Sequence, residues 1–176
     1  MAFFKDELKN IKAFIFDVDG VLSRDTSPLN EEGDPVRTAN VKDGFAIRNA
    51  VNLGFPVAVI TGGYTERVRL RHEKLGVIYY YDKVRNKAEC LYDFMEKTGI
   101  EAKNILFMGD DLVDYNIMTK VGIPVCPKDA VADIKAISKY ISDKNGGEGC
   151  VRDVIEQTLR AQNKWFTQEM ILNNAF

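Results

Sequence analysis

Residues 14–21 read FIFDVDGV, an apolar run that ends in two aspartates one residue apart, Asp17 and Asp19, on a glycine turn. Ile11 to Phe16 has the length and composition of a short buried strand bounded by polar residues. A strand that stops there puts both carboxylates at its carboxyl end, which in a parallel sheet opens onto the ligand crevice. Two carboxylates facing each other need a cation or a proton between them, because like charges a few Å apart disfavour double ionisation. Mg²⁺, a hard ion that prefers oxygen ligands, is the expected companion, and the placement points to metal-assisted phosphoryl transfer. An isolated DxDG also suits a solvated turn, since Asp and Gly favour turns; the rest of the chain decides between these readings.

The 176 residues carry a net charge of −2, with 45% hydrophobic and 28% charged residues. That length fits one domain with a real core, and the mix is that of a globular protein. The expectation is one α/β domain over residues 1–176. The slight negative charge and the lack of a long basic run argue against nucleic acid as the main partner, which leaves a small-molecule substrate. No apolar stretch approaches the ~18 residues of a membrane span, and the start MAFFKDELKN lacks the apolar segment of a secretory signal, so no membrane association and a cytoplasmic location are expected. Cys90, Cys126 and Cys150 are odd in number and widely spaced, with no CxxC and only His72 as an imidazole. Neither a disulfide frame nor a zinc site follows, and all three read as reduced thiols.

Beyond the first strand, Ser23 to Val41 reads as a hairpin-like flap with Asn30 to Gly33 at its turn. Asp43 and Gly44 then open an amphipathic helix to about Leu53, stopped by Gly54. Strand and helix alternate from there: strand Pro56 to Ile60, helix Tyr64 to Leu75, strand Val77 to Tyr81, helix Asn86 to Thr98, strand Asn104 to Met108 and helix Leu112 to Val121. Strand Ile123 to Cys126, helix Ala130 to Ile137, a short strand at Tyr140 and Ile141, and helix Val151 to about Asn163 complete the pattern. Such alternation predicts a Rossmann-like parallel sheet with helices on both faces.

Three strand ends carry polar groups: Asp17 and Asp19 after the first, Thr61 after the second, and Asp110, Asp111 and Asp114 in GDDLVD after the fourth. Right-handed crossovers keep parallel strands pointing one way, so these groups should meet along one edge of the sheet. Lys87, at the start of a helix, projects into the same crevice and offsets the crowded acids. Taken singly, Lys87 is also a solvated helix position and GDDLVD an acidic helix start favoured by the helix dipole; taken together they read as one site.

DVDGV, TGG, a lysine opening a helix and GDDLVD occur in the order of the four motifs of the haloacid dehalogenase superfamily, which the chain resembles over nearly its whole length. The resemblance implies that Asp17 is the nucleophile that accepts the phosphoryl group as an aspartyl-phosphate. Asp19 would protonate the leaving oxygen and then activate water, Thr61 would hold a phosphate oxygen, and Lys87 would balance charge. Mg²⁺ would be held by Asp17, the backbone carbonyl of Asp19 and Asp110. Asp111 and Asp114 are either support for these ligands or helix-start acids.

Many members of the superfamily carry a cap domain, and the stretch between Asp19 and Asp43 is too short for one. An uncapped site admits a large substrate or is closed by another subunit. Flap edges invite pairing with another chain, so a homo-oligomer is expected, a tetramer by resemblance. Within the uncapped class the chain most resembles the 3-deoxy-D-manno-octulosonate 8-phosphate (KDO 8-phosphate) phosphatases of lipopolysaccharide synthesis, through NVKDG at Asn40 to Gly44, Arg48, the TGG with Arg71 downstream, and GGEGCVRDV from Gly146 to Val154. The family implies a substrate site lined by Asp19, Asn40, Val41, Lys42, Asp43, Gly44, Arg48, Gly62, Gly63, Arg71 and Lys87, which suits a ligand with one phosphate and one carboxylate. Gly63 departs from some members, which have Arg there. Phosphatases of nine-carbon keto-sugar 9-phosphates share much of this scaffold and are the alternative; a non-catalytic module of the same fold is a further one. The tail from Lys164 to Phe176 is too apolar for a free end and either packs on its own core or covers a neighbour's site. His72 reads as a helix-surface residue rather than a base.

Overall fold

The computed structural model of the chain describes residues 2–166 and residue 168, with the backbone alone at residues 2 and 3. Six strands, β1 (Ala13–Phe16), β2 (Val57–Ile60), β3 (Tyr79–Tyr81), β4 (Ile105–Met108), β5 (Ile123–Cys126) and β6 (Tyr140–Ile141), form one sheet in the order β3-β2-β1-β4-β5-β6. Every pairing is parallel, with Phe14 in register with Val57 on one side and Leu106 on the other. The order runs outward from β1 in one direction and from β4 in the other. A crevice therefore opens between the carboxyl ends of these two central strands, where chains of this architecture bind ligands.

The four central strands are buried along their whole length, and the period-2 alternation sorts their side chains. Phe14 and Phe16 join Val57, Val59, Leu106 and Met108 on one face, and Ala13 and Ile15 join Ala58, Ile60, Ile105 and Phe107 on the other. Removing each large side chain from water contributes about 1.5–3 kcal/mol. Helices α2 (Val41–Asn52) and α7 (Cys150–Ala161) supply Ala46, Ile47, Val151, Val154 and Ile155 to the first face. Helices α4 (Lys87–Thr98), α5 (Tyr115–Met118) and α6 (Ala132–Ile137) supply Leu91, Phe94, Ile117 and Ile134 to the second. The expected α/β fold with helices on both faces is what forms.

Local differences from the sequence reading have identifiable causes. Helix α2 begins two residues before Asp43, because the Asn40 side chain caps it by accepting from the Lys42 and Asp43 amides at 2.9 and 3.2 Å. α3 spans Glu66–Lys74 rather than starting at Tyr64. The stretch after β4 is a single 3-10 turn, Leu112–Asp114, followed by the four residues of α5. An N-terminal helix α1 (Ala2–Glu7) and a 3-10 turn to Asn10 were not anticipated; Leu8 is fully buried, and Phe4 stacks on Tyr140 with centroids 4.6 Å apart. The flap is a hairpin held by one antiparallel bridge, Leu29 to Pro35, rather than a pair of strands. His72 is buried, not on the surface: its Nδ1 lies 2.8 Å from the Val68 carbonyl and its ring packs near Tyr80, and burial lowers its pKa. Trp165 is buried against Phe45 in the first core cluster. The tail therefore starts on its own core, and most of its remaining apolar residues lie outside the described part of the chain.

Candidate active site

The sheet brings Asp17, Asp19, Thr61, Gly62, Gly63, Lys87, Asp110 and Asp111 into one cleft of about 440 Å³ at the carboxyl ends of the strands. Asp17 leaves β1 with its Oδ1 accepting from the Val18 amide at 2.6 Å and its Oδ2 paired with Lys87 Nζ at 2.7 Å. Lys87 is the first residue of α4, whose Asn86 cap turns it inward, and it also donates to Asp114 at 2.6 Å. Thr61 directly follows β2; its Oγ1 accepts from the Gly63 amide at 3.1 Å, folding the TGG turn around the hydroxyl.

The acids after β4 divide by environment. Asp114 is fully buried, its Oδ1 on Lys87 and its Oδ2 accepting from the Asp110 amide at 3.0 Å. It thus ties the lysine to the strand-end turn. Asp111 is exposed and its Oδ1 accepts from the Leu112 amide at 2.7 Å, the behaviour of a turn-capping acid. Asp110 points back across the cleft at the first motif. A Cβ on Gly20, whose φ is +76°, would lie 1.9 Å from Asp110 Oδ2, so this turn needs glycine both for its backbone and for the space the carboxylate fills.

Asp17, Asp110 and Asp114 each bring a carboxylate oxygen within 4.8 Å of the others. Burial first, and then repulsion from Asp114, pushes Asp17 up to about 7 against the pull of Lys87. Burial, followed by Asp17 and Asp114, pushes Asp110 up to about 8. Burial works against the Lys87 ammonium, but Asp17 and Asp114 more than offset it and raise its pKa. One ammonium leaves this cluster with an excess of negative charge, and oxygen donors this close fit a hard divalent cation. Asp114 is fully buried behind Lys87, whereas Asp17 and Asp110 line the cleft, so these two are the donors best placed to hold it.

A second cleft, about 220 Å³, lies between α2, α3 and the base of the flap; it is lined by Asn40, Asp43, Gly44 and Arg71 of the expected residues, together with Arg37 and Arg67. Asp43 turns toward α7, accepting from the Arg152 amide at 2.7 Å, and burial raises it to about 6 against the Arg152 and Gly149 amides. Arg48 is not brought to either cleft; its Nη1 donates to the Lys74 carbonyl at 2.7 Å, fastening α2 to the end of α3. Val41 is 76% exposed and Lys42 is exposed as well.

Arg37 is a cleft residue that sequence reasoning missed. Its Nε and Nη2 donate to Asp19 Oδ1 and Oδ2, each at 2.8 Å, and its Nη1 donates to Thr65 Oγ1 at 2.7 Å. A lone arginine in a polar loop carries no periodic signal; its position just before NVKDG was the only hint. The glycine-rich GGEG turn gains a role too: Gly147 donates to the Val21 carbonyl at 2.7 Å and Gly146 packs on the Gly20 backbone, bracing the first motif from behind.

A model of the haloacid dehalogenase-like hydrolases matches residues 61–155. The chain is 37% identical over 156 residues to a 3-deoxy-D-manno-octulosonate 8-phosphate phosphatase of Salmonella typhi, covering 89% of this chain and 83% of that one. The crystal structure of the Moraxella catarrhalis 3-deoxy-D-manno-octulosonate 8-phosphate phosphatase, in complex with magnesium, phosphate and KDO, superposes with a TM-score of 0.89 at 31% identity, covering 100% of this chain and 99% of that chain. The cobalt-bound form of the Haemophilus influenzae deoxy-D-mannose-octulosonate 8-phosphate phosphatase gives 0.88 at 28% identity, over 94% of this chain and 99% of that one. With its acids and lysine gathered where the strand order reverses, the chain belongs to the haloacid dehalogenase-like hydrolases, in the family of the KDO 8-phosphate phosphatases.

Proposed function

We propose that the protein is a Mg²⁺-dependent phosphatase that hydrolyses 3-deoxy-D-manno-octulosonate 8-phosphate to KDO and inorganic phosphate. The observation that carries this reading is the convergence of Asp17, Asp110 and Lys87 in one strand-end cleft. Asp17 attacks phosphorus; the Asp17 oxygen–phosphorus bond forms as the ester bond to the sugar oxygen breaks, giving an aspartyl-phosphate. Asp19 delivers its proton to the departing sugar oxygen. It then takes a proton from water as that water attacks phosphorus, which releases phosphate and restores Asp17. Lys87 keeps Asp17 oriented and offsets charge on the transferred group, and the Thr61 hydroxyl with the adjoining amides holds a phosphate oxygen. Mg²⁺, held by Asp17, Asp110 and the backbone carbonyl of Asp19, supplies the positive charge that lets a carboxylate approach a phosphate dianion. Asn40, Asp43, Gly44 and Arg71 belong to the sugar-acid end of the site, with Val41, Lys42 and Arg48 placed beside it.

We infer a role in lipopolysaccharide synthesis and a cytoplasmic location. The chain works as one unit without a cap, assembled as a homo-oligomer, a tetramer, through the flap, with the tail near a neighbouring site. Phosphate release from KDO 8-phosphate, measured beside a nine-carbon keto-sugar 9-phosphate with and without Mg²⁺, tests the assignment; preference for the nine-carbon ester overturns the substrate. Light scattering tests the assembly, which a monomer in solution would refute.

A further inference from the structure

Arg37 reaches from the flap over Gly63, which has no side chain of its own to offer an anion. A Cβ at Gly63 would lie 2.3 Å from Arg37 Nη2 and 3.4 Å from Asp19 Oδ2, so the guanidinium occupies the space that this glycine leaves. The Arg37 side chain is only 8% exposed, and its fork grips both oxygens of Asp19. A guanidinium neither accepts nor readily releases a proton. While both Asp19 oxygens accept from it, neither is free to face a leaving oxygen, and proton transfer there requires this clasp to loosen.

The same arginine lines the second cleft beside Arg67 and Arg71, so three arginines border a space just outside the phosphate cleft. A substrate that carried a phosphate alone would fill the first cleft and leave the clasp closed. One that also carried a carboxylate would offer Arg37 a second planar anion, with which it can form an equivalent bidentate pair.

Resting on the proposed phosphatase reading, we propose that Arg37 is the specificity-determining residue of the site: it latches Asp19 until the carboxylate of a sugar-acid phosphate draws the guanidinium away. The latch couples recognition at the far end of the substrate to release of the acid at the reacting end. It also disfavours phosphate esters that have no carboxylate.

The test compares KDO 8-phosphate with a hexose 6-phosphate, which has the phosphomonoester and no carboxylate. Wild type, Arg37→Gln, Arg37→Lys, Gly63→Ala and the Arg37→Gln/Gly63→Ala double variant are assayed on both. Arg37→Gln should raise KM for the sugar acid about tenfold or more, a step of about 1.4 kcal/mol, and raise kcat for the hexose ester. Arg37→Lys should recover part of the KM. Gly63→Ala should reproduce Arg37→Gln, because the new methyl clashes with the flexible end of Arg37 and reaches Asp19 Oδ2 only at ordinary contact distance, 3.4 Å, on a backbone without positive φ, and the double variant should add nothing further. Equal losses on both substrates, or a Gly63→Ala enzyme that behaves as wild type, overturns the latch. Failure of the substrate assignment is distinguishable: if wild type prefers a nine-carbon keto-sugar 9-phosphate, which also carries a carboxylate, the same variants are read on that ester against the hexose ester. Wild-type turnover of the hexose ester that matches or exceeds that of both sugar-acid esters overturns the latch.

Discussion

Only Val18 separates Asp17 from Asp19, yet Asp17 is 5% exposed and gripped by a lysine from α4, whereas the Asp19 side chain is 46% exposed and gripped by an arginine from the flap. The first pair rests on the two central strands and on a fully buried Asp114 that holds the same lysine. The second rests on a loop fastened by one antiparallel bridge and by contacts between Ser23 and Thr38, where the Thr38 amide donates to Ser23 Oγ at 2.9 Å. The difference separates two tasks. A nucleophile and its metal site need a geometry that does not relax, which a sheet buried on both faces provides; a substrate-reading group needs a partner it can exchange, which a loosely tied segment provides.

Four experiments bear on that contrast. Asp17→Asn should lower turnover by about 10⁴-fold or more without lowering the melting temperature in EDTA, because the amide keeps the shape while relieving charge repulsion in the buried cluster. Residual phosphate release close to wild type would remove Asp17 from the nucleophile's role. Lys87→Met should cost activity and also about 3–5 kcal/mol of stability, since it strips the counter-ion from two buried carboxylates. Urea denaturation of the two proteins reads this directly, and an unchanged midpoint would mean that the strand-end cluster is no stiffer than the flap.

The third experiment uses pH. Asp17 at about 7 and Asp110 at about 8, against 3.8 for an ordinary aspartate, bind protons in the folded state that the unfolded chain has already released. The stabilisation they contribute is therefore complete below about pH 4 and is lost as pH rises through about 7 to 8 in the metal-free protein. Mg²⁺ should raise the melting temperature more at about pH 8.5 than at about pH 5.5, by roughly 5 °C or more. An equal rise at both pH values would place the cation away from these acids. The smallest effect is expected in the flap. Gly33 sits at φ +84° with nothing within 4 Å of an added Cβ, so Gly33→Ala should cost about 1 kcal/mol and change kcat/KM less than about twofold. A loss as large as that of Lys87→Met would make the flap tip part of the rigid frame.

Much of the site was legible from residue order alone. Strand-like apolar runs that end in Asp, Thr or GDD signal that polar groups meet at one sheet edge, because a parallel sheet leaves its strand ends together whatever the details of packing. Helix boundaries were less legible, since Asn40 decides the start of α2 through a side-chain cap that outweighs the preference of the residues after it. His72 and Trp165 were misplaced or left open for a related reason: a short sequence window gives a residue's helix face but not what packs on that face. Among the polar groups, the two readings of Asp111 and Asp114 could be separated only by burial.

By itself, then, the sequence determined the α/β class, the strand-end acids, the lysine that balances them and the family to which the chain belongs. These follow from periodicity and from the order of motifs, which are local properties of the chain. Tertiary structure alone decided that Arg37 lies on Asp19 above Gly63, that Arg48 faces away to the end of α3, and that Asp114 rather than Asp111 is the buried partner of Lys87. Each of these depends on which loops and helices meet across the crevice, and the free energy that sets such meetings is summed over contacts far apart in the chain.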